Sequence, residues 1–356
     1  MAKENNSGLV VAITGAAGYL AGRVIEQLCA DDRVERVLGF DVRRPTFEHR
    51  KLIFDEVDVR NPALKSRFQG VDVVMHLAFV MDPIKDEALM RDVNLNGSQN
   101  VFRSAGEARV KKIVYTSSGV AYGAHPDNDV PLTEDSPLRA NLDFSYPAHK
   151  LEVEYVVKEI RSEYPDMTFT ILRPAIVLGP HADSAWSHLF EMPIIFSIKG
   201  YSPFFQFVHE DDVAGALAFS VFEDLDGAYN VAPEGWMGQE EVHAIVDRPR
   251  IQLSEPHAFS LADRLWNAGL AEAPAGMLHY AMHSWVMGTD KLRSAGFSCS
   301  RSNEETLREQ IARSQGFVRL GTNRVPKKTL AAGAALGLGL VGTAAAVRSV
   351  RGRVGN

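Results

Sequence analysis

Leu9-Val-Val-Ala-Ile-Thr14-Gly15-Ala16-Ala17-Gly18-Tyr19-Leu20-Ala21 decides the fold. Six residues with the character of a buried strand run into a glycine turn, and Tyr19 to Cys29 reads as a helix. A second strand follows from Arg36 to Asp41. Strand, glycine turn, helix and strand, in that order, make a dinucleotide-binding unit. Gly15 permits the tight turn and Gly18 lets the backbone approach a pyrophosphate. The helix N-terminus at Tyr19 and Leu20 then stabilises that anion. The third glycine position holds Ala21, which suits close packing of helix on strand.

Outward from this unit the alternation continues. Leu52 to Val59 and Val71 to Ala78 read as strands, Lys85 to Gly106 as one long helix, and Lys112 to Ser117 as the next strand. A helix carrying Tyr146 and Lys150 runs to about Glu163, and Met167 to Leu172 is strand-like. Apolar strands separated by helices predict a Rossmann-type α/β fold, a doubly wound parallel sheet covered on both faces. After Arg173-Pro174 the pattern loosens, although Phe204 to His209, Asp211 to Phe222 and Ala228 to Val231 still read as strand, helix and strand. Residues 233–318 look irregular apart from a final helix over Asn303 to Ser314. The expected organisation is a dinucleotide-binding domain over 8–175 and 204–232. A smaller substrate-binding region is expected over 176–203 and 233–318, with a tail over 325–356.

The chain has 356 residues, of which 46% are hydrophobic and 23% charged, enough for one large or two modest folded domains. A net charge of −7 gives no footprint for nucleic acid. Cys29 and Cys299 fit neither a disulfide framework nor a zinc site and are expected to be reduced thiols, with no metal bound. Lys3 before the apolar run Leu9 to Ala21 imitates a signal peptide, but the glycine turn inside the run argues for a buried strand and a cytoplasmic protein.

The C-terminus is different. Thr329 to Val347 holds 19 residues without a charge, with Lys327-Lys328 before it and Arg348, Arg351 and Arg353 after it. That length just spans a bilayer's hydrocarbon of ~30 Å. With seven alanines and four glycines against four leucines and two valines, insertion would be marginal. Gly333 and Gly337 offer a small-residue face for helix pairing in lipid. Membrane association of this tail is the expectation, against an Ala-rich soluble helix or a tail without structure. The assembly state is open, with a homodimer as one candidate.

Chemistry concentrates in a few places. Asp41 ends the second strand 23 residues after Gly18, where a carboxylate can bond both ribose hydroxyls and repel a 2′-phosphate. This favours NAD over NADP, although Arg43 and Arg44 pull the other way. Asp58-Val59 ends the third strand, where the carboxylate can meet an adenine edge or cap the helix beginning at Asn61-Pro62. Ser118 closes a strand that should reach the nicotinamide. Tyr146 and Lys150, four residues apart, share one helix face, and the ammonium is expected to make the phenol more acidic.

Taken together the chain resembles the extended short-chain dehydrogenases/reductases of the NAD-dependent epimerase/dehydratase group, over about residues 9–300. The resemblance rests on T-G-x-x-G-x-x-A, on Asp41, on Asp58-Val59, on His76-Leu77-Ala78 and on Val93-Asn94. It continues through Ser117 to Gly123, Tyr146-x-x-x-Lys150, Leu172-Arg173-Pro174, Val208-His209-Glu-Asp-Asp212-Val and Gly288-Thr-Asp-Lys-Leu to Gly296-Phe297. It implies Ser118, Tyr146 and Lys150 as catalytic residues, with Lys150 also holding the nicotinamide ribose. Leu77, Ala78, Asn94 and Pro174 would lie beside NAD, and His209 and Asp212 would fix a strand-helix junction. His149 is given no role.

One departure bears on substrate. Nucleotide-sugar epimerases of this group carry Arg-Tyr-Phe-Asn where this chain has Arg173-Pro174-Ala175-Ile176. The Arg-Pro form is similar to hydroxysteroid and dihydroflavonol-type enzymes, which take apolar substrates. The leading expectation is hydride transfer between NAD and a secondary alcohol or ketone, on a sugar nucleotide or on a steroid- or lipid-like molecule. The rival is a non-catalytic NAD-binding protein at a membrane.

Overall fold

The computed structural model describes residues 8–320 and 322–328. The chain opens with β1 (Leu9–Thr14), α1 (Tyr19–Ala30), β2 (Val34–Asp41), β3 (Leu52–Glu56), α2 (Leu64–Arg67) and β4 (Val73–His76). It continues with α3 (Glu87–Arg91), a π-helical turn (Asp92–Asn96), α4 (Gly97–Glu107), β5 (Lys112–Thr116), α5 (Ser145–Glu163) and β6 (Thr168–Pro174).

The central sheet has seven strands, all parallel, in the order β11-β6-β5-β4-β1-β2-β3, with β11 formed by Gly227–Val231. Because side chains alternate across a strand, β1 feeds two cores. Val11 and Ile13 join Val24, Ile25 and Leu28 of α1 on one face, whereas Val10 and Ala12 join Phe102 of α4 and Val153 and Val157 of α5 on the other. Strand order reverses at β1, which has β2 on one side and β4 on the other. The crevice beyond the carboxyl ends of these strands is where open sheets of this kind bind ligands.

The long helix expected over Lys85 to Gly106 is present as one run through α3, the π-helical turn and α4, with the Asn94 amide bonded to the backbone of Val80. Gly97 opens α4 against Val59, where a Cβ would come within 2.6 Å of Val59 Cγ2. One expectation is corrected: residues 233–318 are not irregular outside their final helix. After β6 come β7 (Ile176–Leu178), α6 (Ala185–Leu189), β8 (Ile195–Ile198), β9 (Phe204–Phe205), β10 (Phe207–His209), α7 (Glu210–Phe222) and β11. Then follow β12 (Met237–Gly238), α8 (Gln239–Val246), β13 (Arg250–Leu253), α9 (Glu255–Asn267), α10 (His279–Met282), α11 (Asp290–Ser294), α12 (Asn303–Ser314), β14 (Phe317–Leu320) and β15 (Asn323–Pro326).

The expected strand over Phe204 to His209 is split at Gln206. The Gln206 amide donates to the carbonyls of Pro233, Gly235 and Met287 and accepts from Met287 N, so it ties several loops together. β7–β10 and β8–β13 form small parallel pairs and β9–β12 an antiparallel one, outside the central sheet. No helix among the described residues is long and apolar enough to cross a membrane, and the tail segment Thr329 to Val347 lies outside them.

Candidate active site

The glycine turn leaves β1 with Gly15 at φ +75°, a left-handed conformation that favours glycine. A Cβ there would also fall 2.6 Å from Ala78 N and 2.8 Å from Leu77 C, so the turn packs directly on the residues that leave β4. Gly18 caps α1 with extended backbone. No side chain caps the helix and its first turn carries no acidic residue. The first-turn N–H groups, Tyr19 and Leu20 among them, therefore have no intrahelical partner and present positive potential to the crevice. That donor set fits a pyrophosphate.

Asp41 stands beside it. Its carboxylate accepts from Ala17 N at 3.0 Å and Arg43 N at 2.9 Å, which fixes its orientation at the end of β2. The loop after it, with Arg44, Phe47, His49 and Arg50, lines a cleft of about 510 Å³. Asp58 is held by an ion pair. Arg60 clamps its carboxylate from Nε at 2.9 Å and Nη2 at 2.6 Å and reaches on to Asp92 at 2.7 Å. The ion pair holds Asp58 below the usual carboxylate range, so this side chain serves the Arg60 bridge between the β3 exit and the π-helical turn. Val59 is buried against Gly97.

At the other end of the crevice three residues converge. Ser118 follows β5 and caps the short turn Gly119–Tyr122, its hydroxyl accepting from Val120 N at 3.3 Å. Tyr146 and Lys150 lie on α5 and are 9% and 3% exposed, so both ionisable groups are held away from water. Lys150 Nζ donates to Thr116 O at 2.7 Å and sits 3.6 Å from the ring centre of Phe79. Phe79 in turn meets Tyr146 edge-on at 6.0 Å.

The electrostatics correct one expectation. Burial pushes the Tyr146 phenol up to about 12, and the neighbouring Ser118 hydroxyl opposes that rise without cancelling it. Burial also pushes Lys150 down to about 7, with Glu154 acting in the opposite sense. The ammonium is 5.9 Å from the Tyr146 ring centre and is directed at Thr116 and Phe79. By itself it does not make the phenol acidic.

Other expected residues are accounted for. Leu77 N bonds Thr14 O at 3.1 Å, which places Leu77 and Ala78 against the glycine turn. Asn94, fully buried, holds Val80 through both backbone groups at 2.7 and 3.0 Å and lies 3.3 Å from His149 Nδ1. His149 thus has a structural partner that helical spacing did not reveal. Pro174 ends β6 opposite Val231. His209 caps α7 through Asp211 N, and Asp212 binds Ser300 and Arg301, so both secure a junction.

Sequence reasoning missed Phe79 and Asp82. Asp82 accepts from Ala185 N at 3.1 Å, and its charge adds to the burial that raises the phenols of both Tyr19 and Tyr146. The available signal was their position within four residues after His76-Leu77-Ala78. An aromatic group adjoins Tyr146: Phe144 at 6.2 Å leads to Tyr280, and Tyr280 packs on Trp186 and Trp285 at 5.9 and 5.3 Å.

Known proteins are similar to this chain in sequence or in fold. An uncharacterised protein of Mycobacterium bovis is 28% identical over 235 residues, covering 64% of this chain and 62% of that protein, so the match spans under two thirds of the relative's length. Cinnamoyl-CoA reductase 1 of Arabidopsis thaliana is 31% identical over 193 residues, 49% of this chain and 54% of the relative. The UDP-glucose 4-epimerase of Thermus thermophilus, solved with NAD, superposes with a TM-score of 0.65 at 21% identity, covering 86% of this chain and 99% of that one. The profile of the NAD dependent epimerase/dehydratase family matches residues 11–232, from within β1 to the residue after β11. The chain belongs to the NAD-dependent epimerase/dehydratase family.

Proposed function

We propose that this protein is an NAD-dependent oxidoreductase acting at a secondary alcohol or ketone carbon, with Ser118, Tyr146 and Lys150 as its reactive set. The observation that carries the reading is their convergence. The Ser118 hydroxyl lies near enough to the Tyr146 phenol to oppose the rise that burial causes, and Lys150 rises from the same face of α5. The uncapped N-terminus of α1 with Gly15 and Gly18 would hold the pyrophosphate, and Asp41 the adenosine ribose.

When bound, NAD supplies the two-electron acceptor or donor at the carbon. Ser118 holds the substrate oxygen and Tyr146 moves its proton. Phe79 and burial keep water from that exchange. A phenol at about 12 stays protonated at neutral pH and supplies little phenolate to act as base, so positive charge brought into the crevice with the oxidised cofactor would help to lower it.

A second reading concerns the substrate. Buried Ile176 in β7 and the aromatic residues beside Tyr146 favour an apolar or aromatic carbonyl compound over a sugar nucleotide. The name of the Arabidopsis relative points the same way, while the epimerase neighbours support the sugar-nucleotide alternative. Purified protein incubated with NAD and either UDP-glucose or a panel of aromatic and alicyclic secondary alcohols tests both levels. Cofactor reduction or epimerised product supports the function. Wild-type protein that binds no NAD contradicts it.

A further inference from the structure

Glu154 has no part in that proton transfer, yet it is 2% exposed and fully engaged. Its Oε1 accepts from the Ser117 hydroxyl at 2.6 Å and from Arg173 Nε at 2.9 Å, and its Oε2 from Arg173 Nη2 at 2.5 Å. Arg173 Nη1 donates to Tyr122 Oη at 2.7 Å, and Tyr122 donates to Asn230 Oδ1 at 2.8 Å. Ser117 and Tyr122 stand on either side of the turn that carries Ser118.

Lys150, one helical turn before Glu154, bonds the carbonyl of Thr116. Two side chains of one α5 face therefore grip consecutive residues of the chain entering Ser118. A buried ion pair is weak evidence of stability, because apolar residues of similar volume often serve a core as well. Its location around a reacting hydroxyl calls for another explanation.

We propose that the buried Glu154–Arg173 pair is a positioning element for the reaction, clamping both ends of the Ser118 turn and presenting a fixed negative charge to the Lys150 ammonium. This rests on the reading of Ser118, Tyr146 and Lys150 as the reactive set. Tyr146 faces Lys150 from α5, Tyr115 from β5 and Phe79 from the loop after β4. His76 of β4 also feels its charge and is kept neutral, pushed down to about 3 by burial. Tyr115 is likewise kept neutral, its phenol raised by burial. Glu154 is the group that supports the Lys150 charge against burial.

The test is an NMR titration of Lys150 in full-length protein labelled at lysine nitrogen, with the signal assigned by its loss in Lys150→Met. In Glu154→Gln the midpoint should fall by about one pH unit or more relative to wild type. Amide exchange over residues 117–123 should also accelerate. If that variant does not fold, Glu154→Gln/Arg173→Gln, which leaves no orphaned charge, should lower the midpoint in the same direction. An unchanged midpoint in a folded variant overturns the proposal. Loss of folding in both variants assigns the pair to fold stability and overturns it too. NAD titration of the wild type is read separately, so failure of the proposed function is distinguishable from failure of this inference.

Discussion

Thr14 Oγ1 and His76 Nδ1 lie 2.7 Å apart, joining the carboxyl ends of β1 and β4 directly beneath the glycine turn. His76 Nε2 lies 2.9 Å from Ser98 Oγ, and the ring is 1% exposed, so both nitrogens are satisfied by hydroxyl groups rather than by charge. Burial pushes this imidazole down to about 3, whereas an unfolded chain holds histidine near ~6.5. Between these values the unfolded chain binds a proton that the folded one excludes. The stabilisation is present above ~6.5 and is lost as pH falls toward 3, with a slope of up to ~1.4 kcal/mol per pH unit. Denaturant unfolding between pH 7 and 5 should show this slope in wild type and a flatter one in His76→Asn. Equal slopes would remove His76 from the account.

Gly15 tests the turn itself. Its positive φ alone makes a substitution cost about 1–3 kcal/mol, and the Cβ would press on Ala78 N besides. Gly15→Ala should lower the unfolding midpoint and abolish measurable NAD binding by calorimetry. Wild-type affinity in this variant would show that the turn does not carry the pyrophosphate.

Asp41 is the proposed discriminator between cofactors. Losing charge-assisted bonds to a ribose costs about 1.5–3 kcal/mol. Asp41→Asn should therefore weaken NAD by about tenfold or more, while NADP gains relative to NAD because Arg43 and Arg44 lie next along the chain. Titrations with the two cofactors measure the ratio. A ratio unchanged from wild type would place the ribose elsewhere.

The β1 turn, the parallel sheet and the shared helix face of Tyr146 and Lys150 were legible in sequence because each is encoded locally. An apolar run meets glycines, and a four-residue spacing sets one helix face. What escaped reading depends on partners far apart in the chain. The Arg60 bridge from Asp58 to Asp92 could not be read, because Asp92 lies 32 residues beyond Arg60 along the chain. Asn94 was expected near the cofactor from its motif, but its bonds to the backbone of Val80, in the loop after β4, were not foreseen. The Tyr146–Lys150 spacing was read correctly as a shared face, yet it said nothing of the burial that raises the phenol and lowers the amine. Helices between residues 233 and 302 were hidden by short lengths and by α9, in which only Ala258 is buried.

The central claim is that Tyr146 moves the substrate proton next to bound NAD. Cofactor reduction by wild type and Tyr146→Phe, measured on one turned-over alcohol alongside NAD affinity, tests it most directly. The account predicts turnover reduced by about 10²–10⁴ in the variant, with NAD affinity retained. A Tyr146→Phe protein that turns over at the wild-type rate would contradict it.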